Sequence, residues 1–286
     1  MNNKILIIGA NGMLGSTLLR YFCAKKKFSV GATVRNTKSL KNLITVYNYE
    51  LFNGINVNSR SCLSRVFKEF NPNIVINCVG LVKQLTDTHH PLEAIMLNSF
   101  LPHYLVKLSL KYKARFIHFS TDCVFSGKKG NYAESDLPDP LDLYGRSKLL
   151  GEINYSNAIT LRTSIIGHEI ESCRSLLNWF LSQSKNIQGY KKVIFSGLPT
   201  YEIARIIHDY ILPNRFLNGL YHVSGDPINK YDLLLLVKNT YGKNINIIPN
   251  NKIMINRSLD SSRFRKATGF SPKSWNLLIR EMKAFG

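Results

Sequence analysis

Two groups of residues in this chain carry reaction chemistry. One is Ser120-Thr121-Asp122-Cys123-Val124-Phe125, followed by Tyr144-Gly145-Arg146-Ser147-Lys148. It supplies a hydroxyl, a phenol and an ammonium, the groups needed to hydrogen-bond and protonate a carbonyl. Tyr144 and Lys148 are four residues apart, so on a helix they share one face. A free phenol titrates near about 10, too high for efficient proton transfer at neutral pH. A neighbouring ammonium stabilises phenolate and lowers that value by roughly one to three units. Lys148 can do this while bonding the ribose of a nicotinamide, and Thr121 can donate to the substrate oxygen as an oxyanion hole does. The spacing alone is not distinctive, because Tyr21 and Lys25 repeat it. Position distinguishes Tyr144: its helix follows a predicted strand over 116–120, beyond the carboxyl end, where ligands bind in open α/β sheets.

The second group is Gly9-x-x-Gly12-x-x-Gly15, set between an apolar strand and a helix. Gly9 permits a tight turn, Gly12 lets backbone N–H groups approach a pyrophosphate, and Gly15 lets the helix pack close to the strand. The helix N-terminus attracts negative charge. Asn11, Met13 and Leu14 complete this loop. Cys78, Val79 and Gly80, at the end of the fourth predicted strand, join the cofactor-binding set with Lys148. The second strand runs into Thr33-Val34-Arg35-Asn36 and has no carboxylate for a ribose 2′-hydroxyl. The Arg35 guanidinium suits a 2′-phosphate instead. NADPH is the expected cofactor, with NADH left open. Hydride transfer to a carbonyl is the chemistry the two groups imply together.

Elements must bring these groups together. Apolar runs alternate with helical patterns from the first residue, as in repeated β-α units around a parallel sheet. Strands are predicted at 4–9, 30–34, 45–49, 74–78, 116–120 and 158–163. Helices are predicted at 13–24, 59–70 and 91–111, with another carrying Tyr144 and Lys148. In the first, Leu14, Leu18, Leu19 and Phe22 line one face. Past residue 163 the alternation loosens into helices at 175–184, 200–210, 230–241 and 274–284 and strands at 220–223 and 245–248. The strand at 220–223 reads as a return to the sheet. Residues 1–165 are therefore expected to bind the cofactor, with a return segment near 197–225, and 166–286 to form mainly a substrate-binding lobe.

Composition narrows the class. With 286 residues, 44% hydrophobic and 11% aromatic, the chain can bury a core and carries no disorder signature. Its five scattered cysteines include no Cys-x-x-Cys pair, which argues against a disulfide framework or zinc knuckle. The first apolar run is too short for a signal segment, and no stretch reaches a membrane span. A cytoplasmic protein is the expectation. The net charge of +20 is spread along the chain without a recognition motif, so it reads as a field favouring anionic small molecules rather than nucleic acid. His89-His90 lack a second ligand set, and no metal site is expected.

The motifs resemble those of the extended short-chain dehydrogenase/reductases, and most closely the dTDP-4-dehydrorhamnose reductase family. The resemblance lies in Ser120-Thr121-Asp122-x-Val124-Phe125-x-Gly127, Tyr132-x-Glu134 and Tyr144-Gly145-x-Ser147-Lys148-x-x-Gly151-Glu152. It continues in Gly197-x-Pro199-Thr200, Glu202-x-Ala204 and Leu259-Asp260-x-Ser262-Arg263. It implies an α/β, Rossmann-type doubly wound parallel sheet with a smaller C-terminal α/β substrate-binding lobe. It also implies Thr121, Tyr144 and Lys148 as the active-site set, and a nucleotide-linked 4-keto-6-deoxy sugar as substrate for surface polysaccharide. Asn98 resembles the asparagine that organises an active-site water in the superfamily. Lys83, Asp122, Cys123, Arg257 and Arg263 are candidate neighbours of the sugar nucleotide.

Two departures bear on the substrate. Cys123 stands where the rhamnose enzymes carry tyrosine, and the segment from Asn77 to Gln84 differs from their alanine-rich one. A UDP-linked N-acetyl-4-hexulose stays open as substrate. A 4,6-dehydratase is disfavoured because Cys123 replaces the expected Glu, and an epimerase because Arg35 replaces an acidic residue. A non-catalytic cofactor-binding subunit is the alternative from another class, and a homodimer stays open as the assembly.

Overall fold

A computed structural model describes residues 3–37, 47–81, 90–170 and 173–286. Lys83, His89, and Thr45 and Val46 at the start of the expected third strand lie outside the described residues.

The first half alternates as its pattern predicts. Strand β1 (Asn3–Ile8) leads through the glycine loop into α1 (Met13–Ala24), then β2 (Phe28–Thr33), β3 (Glu50–Phe52), α2 (Arg60–Phe70) and β4 (Ile74–Asn77). The third strand thus starts after the expected 45–49. Pairing of Gly31 with Glu50 and Thr33 with Phe52 sets this register, and Phe52 is the residue that enters the core. Helix α2 starts where the Ser59 side chain accepts from Cys62 N, and ends at Asn71 in the left-handed region (φ 49°).

Residues 91–111 form a continuous helical run in three parts: α3 (Pro91–Ala94), a π-helical stretch (Ile95–Phe100) and α4 (Leu101–Lys111). Proline explains the break in periodicity. Pro102 has no N–H to offer the carbonyl of Asn98 one turn earlier, so the ladder shifts and Leu101 N bonds Met96 O. Then come β5 (Arg115–Thr121), a single 3-10 turn (Asp122–Val124), α5 (Leu143–Leu150) and β6 (Ala158–Thr163).

Downstream lie β7 (Ile165–Ile166), α6 (Leu176–Ser182), β8 (Ile187–Tyr190), β9 (Val193–Phe195), β10 (Leu198–Pro199) and α7 (Thr200–Ile206). They are followed by β11 (Gly219–His222), β12 (Ile228–Asn229), α8 (Lys230–Tyr241), β13 (Ile247–Asn250), β14 (Ile255–Asn256), α9 (Ser262–Thr268) and α10 (Trp275–Phe285). The strand expected at 245–248 begins two residues later, and the helix expected over 175–184 ends at Ser182.

The main sheet has seven strands in the order β11-β6-β5-β4-β1-β2-β3. Strand β1 runs parallel to β2 and β4, and β4 to β5. Placement of β11 beside β6 is the return to the sheet that the sequence suggests. Ile5, Leu6, Ile7 and Ile8 are all fully buried. Successive strand side chains point to opposite faces, so both faces of the sheet are covered there. Leu6 and Ile8 join a core with Val66, Phe67, Leu105 and Phe116. This is a Rossmann-type α/β fold.

The chain forms two compact units. One comprises 1–120, 142–161 and 216–220; the other comprises 121–141, 162–215 and 221–286. In the second, a small sheet runs β12-β9-β14, with Asn229 and Asn256 both registered on Ile194 from opposite sides. Also in the second unit, the His222 N–H donates to Glu134 and its ring bonds Tyr132 O and Arg162.

Gly151, which follows α5, has no room for a side chain. A Cβ there would collide with the Asn98 carbonyl and lie 3.3 Å from the Pro102 ring. Gly151→Ala is therefore expected to lower stability by about 1–3 kcal/mol, as overpacking does. Urea unfolding monitored by far-UV circular dichroism reads this, and an unchanged midpoint would contradict it.

Candidate active site

The glycine loop is held from both sides. Gly9 lies in the left-handed region (φ 84°), and its N–H donates to Thr33 Oγ1 at 3.1 Å. The next N–H, of Ala10, donates to Thr33 O at 3.0 Å, so the loop is fastened to the end of β2. A Cβ on Gly9 would sit 2.7 Å from Val79 Cγ2, and one on Gly15 would strike the Gly9 carbonyl. Helix α1 starts at Gly12 without a side-chain cap. Its first N–H groups are thus left without a side-chain acceptor, and a pyrophosphate supplies one. The cradle fits a dinucleotide. Asn11 and Met13 are half-buried and Leu14 is buried, while Arg35 is exposed just beyond β2.

Helix α5 carries Tyr144 and Lys148 on adjacent turns. Asp142 caps it by accepting from Gly145 N at 2.8 Å. Lys148 is buried, 6% exposed, and its Nζ donates to Phe119 O on β5 at 2.6 Å. Burial pulls its ammonium down to about 8, against the Glu152 carboxylate, which raises it. Ser147 Oγ donates to Tyr144 O at 3.0 Å and accepts from Asn98 Nδ2 at 3.0 Å. Asn98 Oδ1 accepts from Leu81 N at 2.8 Å, and its Nδ2 also reaches Leu81 O at 3.2 Å. The π-helical stretch therefore fixes both α5 and the loop after β4.

That loop joins the two halves of the unit's site. Asn77 Oδ1 accepts from Val79 N, and a Cβ on Gly80 would lie 3.3 Å from Asn98 Oδ1 and 3.8 Å from Lys148 Nζ. Gly9, Val79, Gly80, Asn98 and Lys148 thus form one continuous line of close contacts. Burial pushes the Cys78 thiol up, so it is a neutral wall. His118 on β5 is buried beside Asn77, and burial, then Lys148 and His103, hold it well below the usual imidazole range.

A separate polar cluster occupies the second unit. Thr121 Oγ1 donates to Asp122 Oδ1 at 3.2 Å and accepts from Cys123 N at 3.1 Å. Thr121 is expected from sequence as a donor to substrate; here Asp122 takes its hydrogen. Burial raises the Asp122 carboxyl, opposed by Arg257, the hydrogen bonds of Cys123 and Thr121, and Lys230. Arg257 Nε donates to Phe125 O at 2.8 Å. Lys230, the first residue of α8, is drawn down by burial and raised by Asp122 and Cys123. Arg263 does not join this group; it is exposed on α9 with its guanidinium 4.7 Å from the Tyr221 ring centroid.

Sequence reasoning missed Lys230 and the grip of Glu152 on Ser120, whose hydroxyl donates to Glu152 Oε1 at 2.6 Å. Glu152 falls four residues after Lys148, a spacing that is a usable signal. No comparable local signal marks Lys230. Among the described residues no three His, Cys, Asp or Glu side chains are grouped to hold a metal ion, and no helix is long and apolar enough to cross a membrane.

A glycine cradle at the carboxyl end of a Rossmann-type sheet, with a Tyr-Lys pair on the helix after β5, defines the short-chain dehydrogenase/reductase class. Comparison with known proteins narrows this. The chain belongs to the RmlD substrate binding domain family, whose model matches residues 3–284. It is 24% identical to the dTDP-4-dehydrorhamnose reductase of Aggregatibacter actinomycetemcomitans over 99% of both chains. It is 25% identical to the methionine adenosyltransferase 2 subunit beta of Bos taurus, covering 84% of this chain and 72% of that one. In fold it is similar to the Bacillus anthracis dTDP-4-dehydrorhamnose reductase solved with NADP, at a TM-score of 0.79 and 19% identity, covering 100% and 99% of the two chains.

Asn98→Ala would leave the buried polar groups of Leu81 and Ser147 without these partners. A loss of about 1–3 kcal/mol in unfolding free energy is expected, the usual cost of an unpaired buried group. Urea titration measures it, and wild-type stability in this variant would show that the clamp does not matter.

Proposed function

We propose that the protein is an NADPH-dependent reductase of a nucleotide-activated 4-keto-6-deoxy sugar, similar to dTDP-4-dehydrorhamnose reductases. The observation that carries the reading is the continuous line of close contacts from the glycine cradle through Gly80 to Lys148 on the Tyr144 helix. The family match across residues 3–284 supports the same reading. In it, residues 1–120 with 142–161 hold the cofactor, and Asp122, Cys123, Lys230 and Arg257 in the second unit are assigned to the sugar nucleotide.

The roles follow from the chemistry of each side chain. Gly9, Gly12 and Gly15 let the backbone approach a pyrophosphate, and α1 offers its N-terminus to the charge. Arg35 meets the 2′-phosphate. When bound, reduced nicotinamide supplies hydride to the carbonyl carbon. Tyr144 gives its phenolic proton to the carbonyl oxygen, which leaves the alcohol. Lys148 as ammonium favours the phenolate that remains. With its value near 8, Lys148 is about nine-tenths charged at pH 7 and about half charged at pH 8. The direction follows: turnover falls as pH rises through this range. The base and hexose are left at the class of 4-keto sugar nucleotides, UDP-linked N-acetyl sugars included.

A second reading has one specific support, the similarity to a protein named as a subunit of methionine adenosyltransferase. It predicts tight NADPH binding, no turnover and co-purification with a partner. Steady oxidation of NADPH, followed by the loss of its reduced-nicotinamide absorbance with a panel of TDP- and UDP-4-keto sugars, separates the two.

Tyr144→Phe is expected to lower turnover by about 10²–10⁴ while leaving NADPH affinity near normal. Collapse of NADPH binding in this variant would remove the acid role. Arg35→Glu is expected to weaken NADPH more than NADH, read by fluorescence titration with both; equal losses would remove Arg35 from the 2′-phosphate site.

A further inference from the structure

We propose that Glu152 is a positioning residue that keeps Lys148 charged, held in place for this by the hydroxyl of Ser120. Its bearing on turnover rests on the reductase reading above. The geometry is a double grip on one strand. Lys148 Nζ donates to Phe119 O at 2.6 Å, and the adjacent Ser120 donates Oγ–H to Glu152 Oε1 at 2.6 Å. Lys148 lies in the last turn of α5 and Glu152 directly follows the Gly151 cap, and each is tied to β5 by the bond just given.

A neutral carbonyl alone does not neutralise a buried ammonium. Burial drives Lys148 toward the free amine, and Glu152 is the charge that opposes it. Among the described residues, Glu93 on α3 and the Asp142 cap are also carboxylates close to α5, and neither is among the charges that act on Lys148. On β5, His118 is held neutral. From the loop after β4, Cys78 stays a thiol and Gly80 has no side chain. From the π-helical stretch comes Asn98, which is uncharged, and on α5 itself Tyr144 is a phenol. His103, farther along the 91–111 helix, bonds the Leu150 carbonyl at 2.9 Å. If Glu152 served only to tie α5 to β5, its amide would do nearly as well. If it holds the charge, the amide variant loses activity earlier as pH rises through neutrality and recovers in acid.

The test reads the lysine directly. Protein labelled at the lysine ε-carbons is titrated without cofactor by proton–carbon NMR, the Lys148 signal being assigned by its absence in Lys148→Arg. The parent midpoint is expected near 8. In Glu152→Gln it should fall by about one unit, a tenfold change in the protonation equilibrium. Ser120→Ala, which releases the carboxylate without removing it, should move it the same way, and serves alone if Glu152→Gln does not fold. An unmoved midpoint in a folded variant overturns the proposal. In steady-state assays the alkaline limb of the Glu152→Gln profile should shift in parallel, with turnover down about threefold at pH 7.5, approaching about tenfold well above pH 8, and within about twofold at pH 6. A parent that turns over no keto sugar strikes the reductase reading, while the NMR titration still judges Glu152.

Discussion

The arrangement of the first unit depends on burying one ammonium. Lys148 is almost wholly removed from water yet carries a positive charge through neutral pH, which is costly unless the charge is met on several sides. The Phe119 carbonyl meets it on one side and Glu152 acts on it from just beyond the Gly151 cap. To satisfy both, α5 must lie close against β5, and that closeness propagates. Gly151 lacks a side chain where the Asn98 carbonyl passes, and Ser147 is fully engaged by Asn98 and its own helix.

The irregular helix over 91–111 is what makes room for this. An unbroken α-helix would consume the Asn98 carbonyl in its ladder. Pro102 withholds the donor, the turn widens, and Asn98 is set to clamp Leu81 with both ends of its amide. Through Leu81 the clamp fixes the Cys78-Val79-Gly80 segment, and Val79 in turn packs on Gly9. A proline in a helix thus connects the proton-donating end of the site to the phosphate cradle. No single contact in this series is strong. Together they give the Asn98 amide, the Ser147 hydroxyl and the Lys148 ammonium partners within one arrangement.

What was legible in the sequence is what local pattern determines. The glycine turn between β1 and α1, a helix carrying both Tyr144 and Lys148, and the helix at 230–241 match the sequence pattern because each rests on residues a few positions apart. The third strand did not, since its register comes from pairing with Gly31–Thr33 rather than from the apolar residues just before it. Lys230 was invisible for the same reason at longer range. It reaches the Asp122 cluster because β12 and β14 flank β9, a pairing of segments far apart in sequence. Arg263, expected near substrate from its motif position, lies exposed over the Tyr221 ring of its own unit, outside the Asp122 cluster.

The Asp122 cluster sets a condition on Thr121 that sequence could not express. A hydroxyl has one hydrogen, and here it points to the Asp122 carboxylate. It stays there as long as Asp122 is ionised, which Arg257 and Lys230 favour and burial opposes. An anionic ligand that drew those two cations toward itself would weaken their hold on the carboxylate. With that counter-charge drawn away, burial favours the neutral carboxyl, which holds the hydroxyl less strongly than a carboxylate does and leaves Thr121 freer to turn toward a carbonyl oxygen. The donor expected from the STD motif is therefore conditional, and the condition is the charge balance of its own unit.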